Sequence, residues 1–511
     1  MKNEKLLVSA VATFALASAF NVAAAHRRPN IIYIMADDHA SQAISAYGGI
    51  LAGVLPTPNI DRIGREGVKL NNCFATNSIS TPSRAAILTG EYSQKNGVYT
   101  LQDKLDIEHP TVAKELQKAG YRTGMLGKWH LKTEPQGFDY YNVLPDQGRY
   151  HNPILIKKGE WGDPNHDMRN GKLYEGHSTD VITDEALSYL SSCKKDEPFF
   201  LMCHYKAPHR SWNPAERFQN LLKDVTIPEP ENLYDDYDGK GQYAEILRMS
   251  MEHLTKTDLK TDIPSGMSRD EQRKWAYQLY IKDYLRCIAG IDENVGRILK
   301  YLDDNNLTEN TIIIYTSDQG FFLGEHGWFD KRLMYEECIR MPFLMRYPKE
   351  IKAGTVNNDI ILNIDFAPLF LDYAAAEKPS NMQGESFRAN VAGKTAKDWR
   401  KSMYYRYWMH RDINHFVAAN YGIRTDRYKL IFYYGQPLGM SGAGKEAIVP
   451  AEWELYDLKN DPKEMKNIYG DPKNAKLIKE LKSELLKLKT KYGDEDSQYP
   501  EMKSVVENYY W

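Results

Sequence analysis

Asn30-Ile31-Ile32-Tyr33-Ile34-Met35-Ala36 is an unbroken apolar run that stops on Asp37-Asp38. A strand with one wet face alternates apolar and polar residues, whereas a run without alternation reads as a strand buried on both faces. Two further stretches have the same form. Pro198-Phe199-Phe200-Leu201-Met202-Cys203 leads into His204 and Lys206-Ala207-Pro208-His209. Thr311-Ile312-Ile313-Ile314-Tyr315-Thr316 leads into Ser317-Asp318-Gln319. Ahead of the last run, Ile281, Leu285, Ile288, Ile291, Val295, Ile298 and Leu302 recur at helical spacing and mark one helix face. Strands alternating with helices predict an α/β domain with a mostly parallel sheet, whose polar sites lie beyond the strands' carboxyl ends. All three polar clusters fall there.

From about residue 395 the pattern changes. Met403-Tyr404-Tyr405-Arg406-Tyr407-Trp408, Tyr421-Gly422-Ile423-Arg424-Thr425, Tyr428-Lys429-Leu430-Ile431-Phe432-Tyr433 and Trp453-Glu454-Leu455-Tyr456 read as short antiparallel strands between turns. Leu477, Ile478, Leu481, Leu485 and Leu488 then mark an amphipathic helix with lysines outside. Residues 26–394 are thus expected to form the main domain and residues 395–511 a smaller α+β unit. Residues 212–268, rich in charge and proline and weak in periodicity, read as an excursion from the main fold.

A chain of 511 residues with 42% hydrophobic content can bury a large core, and a net charge of -3 gives no bulk attraction to nucleic acid. The five cysteines form no CxxC pair and no metal-ligand spacing, so most are expected to be packing residues. Lys2 and Lys5 precede the apolar run from Leu6 to Phe20, and Ala23-Ala24-Ala25 offers a cleavage site. Residues 1–25 therefore read as a signal peptide, its apolar core shorter than the ~20 residues of a membrane span. No cysteine follows that site to carry a lipid anchor. The mature chain is expected to be periplasmic or secreted, without stable membrane insertion.

Asp37-Asp38 and Asp318-Gln319 offer four oxygen ligands with no clustered His or Cys. That donor set suits a hard cation, Ca²⁺ or Mg²⁺, over zinc. Ser80-Thr81-Pro82-Ser83-Arg84, continuing to Thr89-Gly90, and Gly120-Tyr121-Arg122-Thr123-Gly124-Met125-Leu126-Gly127-Lys128-Trp129-His130 are the other motifs that carry chemistry. Pro82 fits a first helical turn, and Arg84 lies one turn beyond Ser80 on the same face.

These two stretches resemble the paired signatures of the type I sulfatases, in serine form, and the resemblance runs over nearly the whole mature chain. It implies an alkaline-phosphatase-like fold and conversion of Ser80 to formylglycine by an anaerobic serine-type maturating enzyme. It implies metal ligation, with Ca²⁺ ahead of Mg²⁺, by Asp37, Asp38, Ser80, Asp318 and Gln319. Arg84, Lys128 and Lys331 would clamp the sulfate, and His130 would take a proton from the formylglycine hydroxyls. His209 would protonate the leaving group. Unmodified serine could not complete the cycle, because its single oxygen would be left as a stable sulfate ester. His39, His326 and Trp328 are expected to pack rather than react.

The resemblance further implies a sulfated oligosaccharide substrate, with 6-O-sulfate of N-acetylglucosamine in mucin or glycosaminoglycan fragments ahead of 4-O-sulfate of galactose or N-acetylgalactosamine. Arg406, His410, Arg411 and His415, among the aromatic strands, are candidate sugar contacts. A phosphoester or phosphonate hydrolase of the same superfamily is the alternative class, and a catalytically silent glycan-binding protein the remaining one.

Overall fold

The computed structural model describes residues 28–162 and 171–511. The predicted signal peptide lies outside the described residues. At the centre is a ten-stranded mixed sheet. The strand Asn30–Ala36 lies parallel between Phe199–Tyr205 and Thr311–Ser317. Arg122–Lys128 and then Tyr140–Leu144 extend the parallel core on one side. Antiparallel pairing appears toward the margins, with Phe343–Arg346 beside Thr311–Ser317 and Ile154–Lys157 beside Tyr140–Leu144.

The three unalternating runs are buried along their whole length. Their side chains divide by period two between separate cores. Ile32, Ile34 and Ala36 enter one cluster, and Ile31, Tyr33 and Met35 enter the other. The first is covered by Ser178–Ser192 and by the 36-residue helix Arg269–Asp304. A capping box between Ser268 and Glu271 starts that long helix, and every position of its predicted apolar face is buried. The second is covered by Ser80–Thr89, Val112–Lys118 and Phe366–Tyr373.

Register is what assembles the site. Ala36 pairs with Tyr205 on one side and Ser317 on the other, and Gly127 pairs with His204. The next residues of these strands, Asp37, Lys206, Asp318 and Lys128, therefore emerge side by side at one sheet edge. This is the carboxyl edge, where parallel α/β sheets place their ligands.

The C-terminal strands Ser402–Tyr407, Asn420–Thr425, Tyr428–Tyr433 and Glu452–Asp457 form a consecutive antiparallel sheet. The helix Ala475–Tyr492 packs on it through Leu481, Leu485 and Leu488. Its core is shared: Phe74, Ile79, Trp328 and Tyr335 join the same aromatic cluster. Residues 212–268 are more than an excursion. Leu233, Met251 and Leu254 enter the core of the large sheet, and Tyr237, Tyr243 and Met249 enter the aromatic core. The segment pins the two together. All five cysteines are free, and four are buried.

Candidate active site

Ser80 is the first residue of the helix Ser80–Thr89, which ends on Gly90 in the left-handed conformation that glycine tolerates best. Its hydroxyl donates to Asp37 Oδ1 at 3.2 Å. One turn on, Arg84 is 2% exposed and spans two strand ends. Its Nη2 lies 3.4 Å from Asp37 Oδ1 and 3.1 Å from Asp318 Oδ2, and its Nη1 donates to the Lys128 carbonyl at 2.7 Å. Lys128 pairs with Asp37 Oδ2, and Lys331 reaches Asp38 Oδ1 at 2.5 Å. Three carboxylates thus face three cations in a buried cluster.

Asp37, Asp38 and Asp318 each direct one carboxylate oxygen into a group within 4.8 Å of one another. Asp38 Oδ2 and Gln319 Oε1 are buried without a hydrogen-bond partner. The Gln319 amide nitrogen lies 2.5 Å from Asp38 Oδ1 and 2.8 Å from Asp318 Oδ1, so a half-turn of the amide brings its oxygen into the same group. An all-oxygen donor set with orphaned oxygens fits a hard divalent cation. Burial opposes ionisation of Asp37, but Lys128, His209 and Arg84 outweigh it and hold its carboxyl well below the usual range. Burial and the adjacent carboxylates of Asp37 and Asp318 push Asp38 up to about 7, Lys331 only partly offsetting them.

His130 is buried, with Asp146 Oδ1 3.4 Å from its Nε2, and His209 borders the same acidic cluster. Burial and the nearby Lys128 ammonium lower His130 to about 4. Its Nδ1 is 3.5 Å from Thr81 Oγ1. His209 Nδ1 donates to the Arg210 carbonyl at 2.8 Å, which turns Nε2 toward Asp38 Oδ2 at 3.8 Å. Burial, then Lys128, Lys331 and Lys206, hold His209 well below the usual imidazole range, so in the free enzyme Nε2 is an acceptor. An anionic group bound among those lysines would offset their charge.

The strand ends open into a cavity of about 600 Å³, lined by Ser80, Gln147, His209 and Lys331 among others. Backbone strain collects around it: Asp38, His130, Asp330 and Arg332 all hold positive φ, at 65°, 58°, 74° and 100°. Of the four candidate sugar contacts, only His415 lines the cavity. It is held between Asp412 Oδ1 at 2.8 Å and Asp330 Oδ2 at 3.1 Å. Arg406 does not reach the cavity. It is buried against Trp408 and paired with Asp494 at 2.7 Å, inside the aromatic core. His410 is spent on backbone, Nε2 donating to the Glu446 carbonyl and Nδ1 accepting from the Ala419 N–H. Arg411 rests on the Phe416 ring at 4.8 Å and lies outside the lining. Core packing claims Arg406, and contacts within the adjoining loops claim His410 and Arg411, the latter also 3.7 Å from Glu446. His39 bonds Tyr315, and His326 bonds Asp235 and packs on Trp328, as expected of packing residues.

Sequence reasoning passed over Gln147, which accepts from Lys128 Nζ at 2.6 Å and donates to His130 Nε2 at 3.2 Å. It also missed Asp330 and Arg332, which flank Lys331 and pair with each other. Their positions beside a motif lysine were the available signal; Gln147, in a turn, offered none. Arg210 and Arg248 were missed as well, and both line the cavity.

The fold, with its polar cluster at the carboxyl edge, is alkaline-phosphatase-like. A phosphonate monoester hydrolase of Agrobacterium radiobacter, 19% identical with TM-score 0.70 over 91% of this chain and 96% of that one, shares the fold. Residues 29–376 match the Sulfatase family, and residues 324–491 match the N-sulphoglucosamine sulphohydrolase C-terminal family. The N-acetylglucosamine-6-O-sulfatase of Bacteroides thetaiotaomicron is 43% identical, over 99% of this chain and 93% of its own length. A protein solved with its substrate D-glucosamine-2-N,6-O-disulfate is 42% identical with TM-score 0.84, covering 93% of this chain and 100% of that one. The arylsulfatase of Clostridium perfringens is 26% identical over 90% of this chain and 94% of its own length. The chain belongs to the sulfatase family and is a sulfuric ester hydrolase.

Proposed function

We propose that this sulfatase is exported and removes 6-O-sulfate from N-acetylglucosamine residues of host glycan fragments. The observation that carries the reading is the 43% identity, over nearly the full chain, to an N-acetylglucosamine-6-O-sulfatase. The complete buried cluster around Ser80 supports it, because a silent binding protein has no need to keep three cations paired with three carboxylates at a strained edge.

In this reading Asp37, Asp38, Asp318 and Gln319, with the residue at position 80, would hold a divalent cation that takes oxygen donors, Ca²⁺ ahead of Mg²⁺. When bound, that cation supplies charge stabilisation to the sulfate oxygens. Ser80, converted to formylglycine by a serine-type maturase, supplies a hydrated aldehyde with one hydroxyl to attack sulfur and a second to release it. Arg84 braces position 80 from one helical turn away. Lys128 and Lys331 offer ammonium groups on either side of the carboxylates and grip the equatorial oxygens. His130, held neutral by burial and Lys128, takes the proton from position 80 when Gln147, which donates to its Nε2 at 3.2 Å, swings aside. His209 Nε2 delivers a proton to the bridging oxygen once the bound anion has offset the surrounding lysines. His415, between Asp330 and Asp412, contacts the sugar.

A panel of 6-O-, 4-O-, 3-O- and 2-O-sulfated monosaccharides tests the substrate. We expect kcat/KM on 6-O-sulfated N-acetylglucosamine to exceed the others by about tenfold or more. Faster release from 4-O-sulfated galactose or N-acetylgalactosamine would overturn the reading. Metal content gives a separate check. Chelation is expected to lower the melting temperature by about 5 °C, with Ca²⁺ restoring it better than Mg²⁺. An unchanged melting temperature would count against a resident cation.

A further inference from the structure

We propose that Arg248 forms a second anion subsite in the cavity and takes a negative group of the substrate other than the sulfate ester being cleaved. The assignment rests on the 6-O-sulfated glucosamine reading and narrows it to glycans carrying two anionic groups. The cavity has three lining arginines, Arg210, Arg248 and Arg332. Two are neutralised by carboxylates. Arg210 makes a two-pronged pair with Asp258, both contacts at 2.6 Å, and Arg332 pairs with Asp330 while facing Asp412 at 3.6 Å. The lining lysine, Lys331, is paired with Asp38. Among the described residues no carboxylate pairs with Arg248. Its charge faces the cavity unbalanced.

Arg248 is also held in place before any ligand arrives. Its backbone N–H donates to the His415 carbonyl at 2.7 Å. Its guanidinium lies over the Phe416 ring at 4.0 Å, and Nη1 reaches the Ile413 carbonyl at 3.4 Å. Stacking on one face leaves the edge of the fork free to offer paired N–H donors to a carboxylate or sulfate. The same loop carries His415, itself fixed by Asp412 and Asp330 beside Lys331. A sugar seated by His415 with its ester at Lys331 therefore has a guanidinium against the same wall. Two groups supply that chemistry: an N-sulfate on the same glucosamine, or the carboxylate of a neighbouring uronic acid. A mono-sulfated mucin sugar supplies neither.

Equilibrium binding to the catalytically silent Ser80→Ala protein tests this without turnover. The ligands are 6-O-sulfo-N-acetylglucosamine, 6-O-sulfo-N-sulfoglucosamine, and a disaccharide joining 6-O-sulfo-N-acetylglucosamine to a uronic acid. Adding Arg248→Gln should weaken one of the two doubly anionic ligands about tenfold and leave the singly anionic sugar within about twofold. Arg248→Lys should recover only part of the loss, because it keeps charge without the fork. The doubly anionic ligand that loses affinity identifies the source of the second group. An equal loss on all three ligands, or no loss on any, overturns the subsite. If none of the three binds the Ser80→Ala protein, the substrate reading itself falls and the subsite with it. Because Arg248 is exposed, the variant's melting temperature should match the parent.

Discussion

Ser80→Ala is expected to lower sulfate-ester hydrolysis by roughly 10⁵-fold or more, to the limit of detection, while leaving the fold intact. The two halves of that result have different causes. The Ser80 hydroxyl makes one hydrogen bond, to Asp37 at 3.2 Å, and Arg84 and Lys128 remain to hold that carboxylate. Its removal should cost no more than about 1 kcal/mol. Chemistry, in contrast, has no substitute nucleophile. Mass spectrometry of the peptide carrying position 80, from the native host, should show the loss of two hydrogens that formylglycine formation requires. Full activity in protein whose Ser80 is unmodified would overturn the nucleophile assignment.

Lys128→Met should fail in two ways at once. Lys128 is fully buried and paired with Asp37, also fully buried. Removing Lys128 leaves the buried Asp37 carboxylate paired with Arg84 alone, at 3.4 Å, which costs about 3 kcal/mol in denaturant unfolding. Loss of an ammonium from the sulfate clamp should lower kcat/KM by about 10²- to 10³-fold. Gln147 also loses its donor at 2.6 Å, so His130 is freed on one side. The double variant Lys128→Met with Asp37→Asn separates these effects. It should regain most of the stability, because the under-compensated Asp37 charge is gone and Arg84 keeps Asp318 at 3.1 Å, and none of the activity. Recovery of both would mean that the pair is structural only.

These experiments concern residues that the sequence itself exposed. A buried parallel strand writes itself as an unalternating run, and its carboxyl end is where the run stops. Asp37, Asp38, Asp318 and Gln319 could be located because the pattern is local and the sheet has only one ligand-binding edge. Lys128 and His130 follow the strand Arg122–Lys128, and Ser80 and Arg84 share a helix face. Arg406 and His410 show the limit. Aromatic strands are as consistent with lining a sugar as with filling a core, and which occurs depends on what covers each face. Here Trp408, Tyr421, Tyr434 and Tyr499 enclose Arg406.

The sequence alone determined the sheet's long strands, the acidic pairs at their ends and the Ser80 helix, because each is a pattern within a dozen neighbouring residues. Tertiary structure decided the rest of the cavity. His415 meets Asp330 across 85 positions, and Gln147 joins Lys128 across 19. Arg248 reaches the wall from a segment whose weak periodicity gave no sign that it would be buried between two cores. Strand ends are placed by hydrogen-bond register, which local pattern encodes. Cavity walls are placed by which distant loops pack together, and no spacing within one loop encodes that.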